Sequence, residues 1–381
     1  MKKLLTEKRT LEWGNVFLVS VLPVFAILLP FALHLSDLFF LHIPEPGMLN
    51  ILKNWDGPHY IIVARTWYDL EAITKLLFTS VPSTYYPAHF PLYPAFIALF
   101  APLLGYFYAG LFVNISFGVL LNILFYEIAK GYTKRALFLT AVFTVFPGRF
   151  LVTRAILAPE TMMVFFMLLS LYCWEKHRYV QSSVWGSLGI LTKIKAGFLL
   201  PAYIASSLEE MFLKHKNLPA KLLWTALIPL TLLALFTFFK LRTGDFFAFL
   251  NAEKGNNLFV AFPFSQFNSA STWIGTAWIE DVVFYFAGMI ILTATLWKSQ
   301  ENRSWFYFSL FYTAFLIFVP QRDITRFSFP LYPLFLLTFH KFFTSREWKI
   351  AFAFLLPAIY LYAINFILQN QAPISNYSPF L

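Results

Sequence analysis

The sequence predicts an all-α, polytopic membrane protein that forms a single integral-membrane domain over residues 1–381. Hydrophobic residues make up 59% of the chain and charged residues only 13%, whereas a soluble domain carries about 25% charged residues. Apolar runs of roughly 20 residues recur along the whole length, as a bilayer core requires of a helix. The formal charge of +10 lies largely in short loops between these runs, so it indicates topology and gives no reason to expect a nucleic-acid partner.

The positive-inside rule sets the predicted topology. We expect about 11 transmembrane helices, with a cytoplasmic N-terminus and an outer C-terminus, because Lys and Arg then concentrate in the inner loops. The basic N-terminus followed by an apolar run resembles a signal peptide, but the run is too long for one, so we predict an uncleaved first helix. The predicted helices cover residues 14–41, 106–129, 136–151, 159–174, 182–196, 198–213, 222–241, 282–297, 305–320, 327–342 and 350–368.

Two long segments join helices on the predicted outer face, at about 42–105 and about 242–281. Within the first, residues 89–105 hold an apolar stretch that is short for a span, so we predict an interfacial helix there. The pentapeptide Phe-Pro-Leu-Tyr-Pro occurs at 90–94 and again at 329–333, which indicates two helix starts. Neither copy belongs to an extended repeat, so the inverted halves typical of many transporters are not expected.

A polar cluster at 55–60, Trp-Asp-Gly-Pro-His-Tyr, follows the first predicted helix. Asp56 has two interpretations there. It is a good N-cap for a helix that begins at Gly57, and it is also a candidate general base at the water–lipid boundary, where desolvation would raise its pKa and ease proton abstraction. The residues leave both interpretations open. His59 is more readily a hydrogen-bonding partner of this cluster than a metal ligand.

Basic residues near the predicted outer face are candidates for binding an anion. Lys193 and Lys195 interrupt an apolar run, and a lysine within the membrane costs about 2.5–3.5 kcal/mol, so a functional role is the default interpretation. The alternative is that both ammonium groups reach the interface on extended side chains. Arg322 and Arg326 flank Asp323, and they either clamp a phosphate or simply pair with that carboxylate.

Other charged residues have a structural alternative of their own. Glu160 opens a predicted helix, where a carboxylate favours the helix dipole. Arg149 and Arg154 precede it as further cations. Asp69 and Glu71 form an Asp-x-Glu pattern that can bind a divalent metal, but such a pair is more often a solvated helix face. A divalent metal is therefore left open without being favoured, and no metal ligand is assigned. The chain contains no motif or βαβ pattern for a nucleotide-sugar donor.

The cluster at 55–60 followed by the pentapeptide at 90–94 resembles the signature of the PIG-V-like mannosyltransferases, which belong to the GT-C superfamily of polytopic membrane glycosyltransferases. His89 stands where that family often has an aromatic residue. Weaker similarities to the family lie at 146–166, 186–197 and 326–333.

The resemblance implies an inverting transfer of a hexose, mannose by default, from a polyprenyl- or dolichyl-phosphate donor to a hydroxyl of a lipid or glycan acceptor on the non-cytoplasmic face. The family's catalytic Asp maps onto Asp56, and Lys193 aligns with its basic residue. The motif neighbours and acceptor-side supports would be Trp55, His59, Tyr60 and Glu160. The donor phosphate would be held by residues among Lys193, Lys195, Arg322, Arg326 and Arg154.

Such an enzyme would act among membrane lipids, in the cell membrane of a prokaryote or the endoplasmic reticulum membrane of a eukaryote. Two alternatives belong to other functional classes. A transporter or flippase of lipid-linked saccharides would move its substrate across liposomes without an acceptor. A non-catalytic membrane scaffold would bind no donor, which a thermal-shift measurement detects.

Overall fold

The computed structural model describes residues 2–54, 56–76, 81–214, 221–254, 262–267, 280–299, 301–321, 323–372, 374, 377 and 380. Throughout this part of the chain the regular structure is helical apart from one two-stranded ribbon, which confirms the predicted all-α class. Trp55, Arg322 and residues 255–261 and 268–279 of the second outer segment lie outside the described residues.

The first membrane helix, α1 (Lys2–Ala32), ends earlier than the predicted boundary at residue 41. The chain then reverses in an antiparallel ribbon in which Asp37 lies opposite His42. Short helices fill the first outer segment, because turn residues and prolines interrupt it repeatedly. These elements are β1 (Asp37–Leu38), β2 (Leu41–His42), α2 (Leu49–Leu52), α3 (Gly57–Thr66), α4 (Leu70–Lys75) and a 3-10 helix (Ser83–Ala88).

A helical hairpin follows, formed by α5 (Leu92–Leu104) and α6 (Tyr106–Ala129). Gly105 between them has a φ of 73°, a conformation that glycine adopts without steric cost. The hydroxyl of Tyr93 donates a hydrogen bond of 3.1 Å to the carbonyl of Gly110, so α5 packs along α6. One face of α5 is therefore covered by protein, while Leu99 and Leu103 remain exposed. The interfacial position predicted for residues 89–105 stays a prediction.

A bent pair of helices replaces the straight span predicted over 136–151. α7 (Ala136–Val145) and α8 (Gly148–Ala155) meet at an angle of 76°. Phe146 precedes a proline and has an extended backbone, which a residue in that position prefers to the helical one. The next elements are α9 (Glu160–Glu175), α10 (Tyr179–Thr192), a 3-10 helix (Ile194–Phe198), α11 (Leu199–Lys214), α12 (Lys221–Thr225) and α13 (Leu227–Thr243).

The helix predicted over 327–342 is also divided into short pieces. Pro330 and Pro333 lie within it, and each removes a backbone donor that a continuous helix needs. The remaining elements are α14 (Ala248–Lys254), a 3-10 helix (Ser265–Phe267), α15 (Glu280–Lys298), α16 (Arg303–Ile317), α17 (Ile324–Phe327), a 3-10 helix (Phe329–Leu331), α18 (Tyr332–Thr338), α19 (His340–Phe343) and α20 (Arg346–Gln369).

Five described helical stretches are long and apolar enough to cross a bilayer, and the bent α7–α8 pair would make six. These apolar helices make the chain an integral membrane protein. The predicted total of 11 spans stays a prediction. The five stretches are Leu11–Ala32, Tyr106–Ala129, Lys221–Thr243, Asp281–Lys298 and Arg346–Gln369.

Close packing between α10 and the 3-10 helix after it depends on Gly189. A Cβ atom at Gly189 would lie 2.9 Å from the Cβ of Ala196, and neither atom can rotate away. We expect Gly189→Ala to displace the segment that carries Lys193 and to lower the free energy of unfolding by about 1–3 kcal/mol. Thermal unfolding in detergent measures this loss. Gly197→Ala is the matched control, since its added Cβ would meet nothing within 4 Å; equal losses in both variants would contradict the packing argument.

Candidate active site

A cavity of about 740 Å³ lies between the first outer segment, the α10–α11 connection, α14 and α17. Its walls combine aromatic rings with ionisable groups from parts of the chain that are distant in sequence. The structure thereby brings together five of the predicted site residues, Asp56, Tyr60, Lys193, Lys195 and Arg326. The ionisable side chains in its wall that were not assigned from the sequence are Tyr85, His89, Glu253, Lys254 and Asp323.

Asp56 occupies the N-cap position of α3, but its carboxylate does not cap the helix. The backbone carbonyl of Asp56 accepts hydrogen bonds from the N–H groups of His59 (2.9 Å) and Tyr60 (3.2 Å). The side chain makes no capping hydrogen bond, and its Oδ2 lies 3.5 Å from Nη2 of Arg326. The helix start therefore positions the backbone of Asp56, while the carboxylate faces the cavity.

Glu160 links the cations of the site. It is the first residue of α9, as predicted, and its side chain is almost completely buried. A single oxygen, Oε1, accepts hydrogen bonds of 2.7 Å from Nζ of Lys193 and 2.7 Å from Nε of Arg326. Charge-assisted hydrogen bonds of this kind are stronger than neutral ones. Glu160 thus holds side chains from two distant segments beside Asp56.

Neither lysine lies within an α-helix. α10 ends at Thr192, and Lys193 has an extended backbone (φ −156°, ψ 140°) before the 3-10 helix that contains Lys195. The predicted helix over 182–196 is therefore too long by this turn. Nζ of Lys195 lies 3.3 Å from the centroid of the Phe327 ring, a cation–π contact. No carboxylate in the described part of the chain forms an ion pair with Lys195.

Asp323 pairs with an arginine that was not considered for it from the sequence, Arg149. It caps α17 by accepting a hydrogen bond of 3.4 Å from the N–H of Arg326. Its carboxylate also pairs with Arg149, whose Nε lies 3.2 Å from Oδ1 and whose Nη2 contacts Oδ2. The guanidinium of Arg326 consequently faces Asp56 and Glu160, and Arg149 neutralises Asp323.

The structure does not bring Arg154 into the wall of the cavity. Arg154 is fully buried in α8, where Nη1 lies 3.4 Å from the carbonyl of Gly118 and the guanidinium packs 4.5 Å from the centroid of the Phe150 ring. His59 is also buried and packs edge-on against Tyr85, with ring centroids 5.7 Å apart.

The possible metal pair of Asp69 and Glu71 has other partners. Asp69 caps α4 by accepting a hydrogen bond of 2.8 Å from the N–H of Ala72. Glu71 forms an exposed ion pair of 2.7 Å with Lys75. Among the described residues, no three His, Cys, Asp or Glu side chains are grouped as a metal site would require.

Burial and charge oppose each other at Asp56. Burial raises the pKa of Asp56, but the positive charges of His89, in the acidic range where that ring is protonated, and of the Arg326 guanidinium lower it more, so the net pKa lies below the usual 3.8. This corrects the expectation of a raised pKa, because the sequence did not reveal the cations that converge on Asp56. Burial lowers the pKa of His89 to about 3 and also lowers that of His59, so both rings are neutral at pH 7.

Among the described residues, the charged cluster around the cavity has one positive charge in excess. The formal charges of Glu253 and Lys254, which also line the cavity, cancel each other. The four remaining cations face three carboxylates, and an anionic group would balance the surplus. The cations are Lys193, Lys195, Arg149 and Arg326, and the carboxylates are Asp56, Glu160 and Asp323.

Acid is expected to destabilise the fold through His89. Its pKa falls from 6.5 to about 3 on folding, so this contribution to stability is complete above pH 6.5 and is lost as the pH falls towards 3. At pH 5 the loss amounts to about 2 kcal/mol for one such group. We expect His89→Asn to reduce the difference between thermal unfolding at pH 7.5 and pH 5. An unchanged difference would contradict the neutral, buried imidazole.

The architecture is similar to that of a known membrane glycosyltransferase. The apo oligosaccharyltransferase of Archaeoglobus fulgidus matches 94% of this chain and 56% of its own, with a TM-score of 0.52 and 11% sequence identity. The fold is that of the GT-C glycosyltransferases. The same enzyme tethered through a disulfide to an acceptor peptide that contains the NVT sequon matches at a TM-score of 0.47 and 13% identity, over 94% of this chain and 55% of that one.

A sequence family also matches part of the chain. The model described as dolichyl-phosphate-mannose-protein mannosyltransferase covers residues 108–239, a little over a third of the chain. This region includes Glu160 and Lys193 but neither Asp56 nor Arg326. No curated protein sequence matches the chain. The GT-C assignment is thus confirmed for the fold, the chain spans about half the length of the oligosaccharyltransferase, and membership of the PIG-V-like family stays a prediction.

Proposed function

We propose that the protein is a membrane glycosyltransferase that moves a hexose, mannose being the first candidate, from a polyprenyl-phosphate donor to the hydroxyl of a lipid or glycan acceptor. The observation that carries this proposal is the convergence of Asp56, Lys193 and Arg326 in one cavity through their contacts with each other and with Glu160. The family model for dolichyl-phosphate-mannose-protein mannosyltransferases supports the donor class.

The negatively and positively charged groups of the site have separate roles in the proposed reaction. Asp56, ionised at neutral pH, accepts the proton of the acceptor hydroxyl as that oxygen attacks the anomeric carbon. The bond to the donor phosphate breaks, and Lys193, Lys195 and Arg326 stabilise the negative charge that develops on the phosphate oxygen. Because phosphate is already a good leaving group, no carboxylic acid needs to protonate it. A single displacement of this kind inverts the anomeric configuration.

Several elements of the proposal concern the membrane. The excess of basic residues in the predicted inner loops favours a cytoplasmic N-terminus and a cavity on the non-cytoplasmic face. Lys193 and Lys195 lie at a helix end, where ammonium groups are less costly than at the bilayer centre. The first outer segment would then present Asp56 at the boundary between lipid and water, within reach of a lipid-linked substrate.

Transfer by the purified protein tests this function. The protein is reconstituted in liposomes with radiolabelled polyprenyl-phosphate mannose, and a lipid extract supplies the acceptor. We expect a labelled product whose anomeric configuration is the reverse of that in the donor. GDP-mannose serves as the control donor and should give no product. Transport of the donor without any transfer would instead indicate a flippase, and absence of donor binding would contradict both functions.

A further inference from the structure

Two phenylalanines form the tip of the two-stranded ribbon that follows α1. Phe39 and Phe40 lie between β1 and β2, and they are 79% and 80% exposed. Leu38 and Leu41, the strand residues on either side of the tip, pack against the hydrophobic core. The ribbon is therefore held to the protein by its strands, while most of the surface of both tip residues is not covered by protein.

Phenylalanine is an unusual residue at this turn. Phe39 has a φ of 56°, and a two-residue hairpin turn with a positive φ at its first position usually has glycine there. A bulky side chain in this conformation carries a steric cost, and two exposed aromatic rings are unfavourable in water. The residues of the turn thus conflict with its geometry in water. Such a conflict is expected where a residue has a function beyond local structure.

The ribbon lies close to a surface of the bilayer. The apolar stretch Leu11–Ala32 of α1 has 22 residues, and at about 1.5 Å per residue it crosses a hydrocarbon core of about 30 Å. The chain then folds back on the helix end, since the N–H of Leu35 donates a hydrogen bond of 3.0 Å to the carbonyl of Pro30. From Ser36 to Phe39 the chain spans at most about 10 Å. The tip is therefore within reach of the lipid headgroups.

The exposed face of α1 indicates what surrounds this end of the molecule. Exposed apolar side chains recur there three or four positions apart, so they share one face of the helix. In a helix that crosses a bilayer, such a face contacts the acyl chains of lipids. The face extends to the residue directly after the helix, so the lipid-facing surface continues up to the ribbon. Its members are Leu18, Leu22, Phe25, Leu29 and Leu33.

We propose that Phe39 and Phe40 insert into the lipid bilayer and anchor the ribbon at the boundary between headgroups and acyl chains. Insertion removes the two rings from water. Asp37 and His42, which pair at 2.9 Å in the strands behind the tip, are both exposed and stay among the headgroups. An apolar end with polar groups behind it is typical of interfacial anchors. The anchor sets the depth of the outer segment that leads to Asp56, and the inference does not depend on the proposed function.

A fluorescent probe at the tip tests this inference. Cys173 is the one cysteine of the chain and is buried, so Cys173→Ala provides a background for Phe40→Cys. The variant is labelled with bimane and reconstituted in phosphatidylcholine liposomes. We expect a blue-shifted emission, strong quenching by lipids that carry a nitroxide near the top of the acyl chain, and loss of most quenching by aqueous iodide. Phe39→Cys supplies a second position if Phe40→Cys does not fold.

Two other labelled positions calibrate the result. Phe354→Cys reports contact with lipid, since Phe354 is 81% exposed on α20, a helix long enough to cross the bilayer. Glu71→Cys reports contact with water, since Glu71 belongs to an exposed ion pair with Lys75. A tip probe that behaves like the probe at Glu71 would overturn the proposal. A blue shift that disappears when the protein is diluted in lipid would also overturn it, because the rings would then contact a second copy of the chain.

Discussion

Asp56→Asn protein is expected to fold and bind the donor but to lose at least about 100-fold in transfer rate, because general base catalysis commonly contributes 10²–10⁴-fold. Asparagine has nearly the same size as aspartate, yet its amide cannot take the proton of the acceptor hydroxyl. The carboxylate of Asp56 makes no capping hydrogen bond, so the substitution leaves the start of α3 intact. Single-turnover transfer from radiolabelled donor, with donor affinity measured in parallel, gives the result.

Asp69→Asn is the matched control for this variant. Asp69 lies in the same outer segment and caps α4, and asparagine is an equally good capping residue. We expect this control to transfer sugar at the rate of the wild type. A rate for Asp56→Asn within about threefold of that of the wild type would remove Asp56 from the role of base, given the contribution expected of general base catalysis.

Glu160→Gln is expected to destabilise the protein by about 3–5 kcal/mol, because it leaves two buried cations without their shared counter-ion. One oxygen of Glu160 accepts hydrogen bonds from Lys193 and Arg326, and both side chains are mostly buried. A glutamine at this position offers a neutral oxygen, and its amide group donates towards positively charged neighbours. Thermal unfolding in detergent measures the loss of stability. The rate of transfer should also fall, because the two cations are no longer held in position.

A second substitution distinguishes loss of a counter-ion from a packing defect. In the Glu160→Gln, Lys193→Met protein one unpaired cation is removed, so we expect greater stability than in Glu160→Gln alone, while transfer stays low. Glu209→Gln serves as the control, since Glu209 pairs with a single arginine, Arg303, and is itself more exposed than Glu160. If the double variant is less stable than Glu160→Gln, the counter-ion explanation is wrong.

Local sequence signals predicted the parts of this molecule that depend on neighbouring residues. The apolar periodicity and charge distribution predicted an all-α membrane protein, and the boundaries at Tyr106–Ala129 and Glu160–Glu175 agree closely with prediction. The helix break at Phe146 was missed, because its flanking residues are as apolar as those of a continuous span. The break after Thr192 was missed although Lys193 and Lys195 interrupt the apolar run there. Proline at 147 was the one signal available for the first break.

The site depends on contacts that no local pattern records. The motif around Asp56 was visible, but its lowered pKa follows from His89 and Arg326. Arg326 is distant in sequence and was considered only as a phosphate clamp or a partner of Asp323. Glu160 was expected at a helix start, yet its role as the shared partner of two cations required the fold. His89 was noticed in the sequence only because the PIG-V-like family often has an aromatic residue at that position.

The single surplus positive charge among the described residues around the cavity also affects the end of the proposed catalytic cycle. The phosphodiester of the donor carries one negative charge, which the surplus positive charge balances. The released polyprenyl phosphate is a monoester with a second pKa of about 6, so it carries part of a second negative charge near pH 7. Lys195 can interact with that added charge. Its ammonium group contacts the ring of Phe327 and has no paired carboxylate among the described residues. Under the proposed function, the site would then hold the spent lipid carrier more tightly than the loaded one.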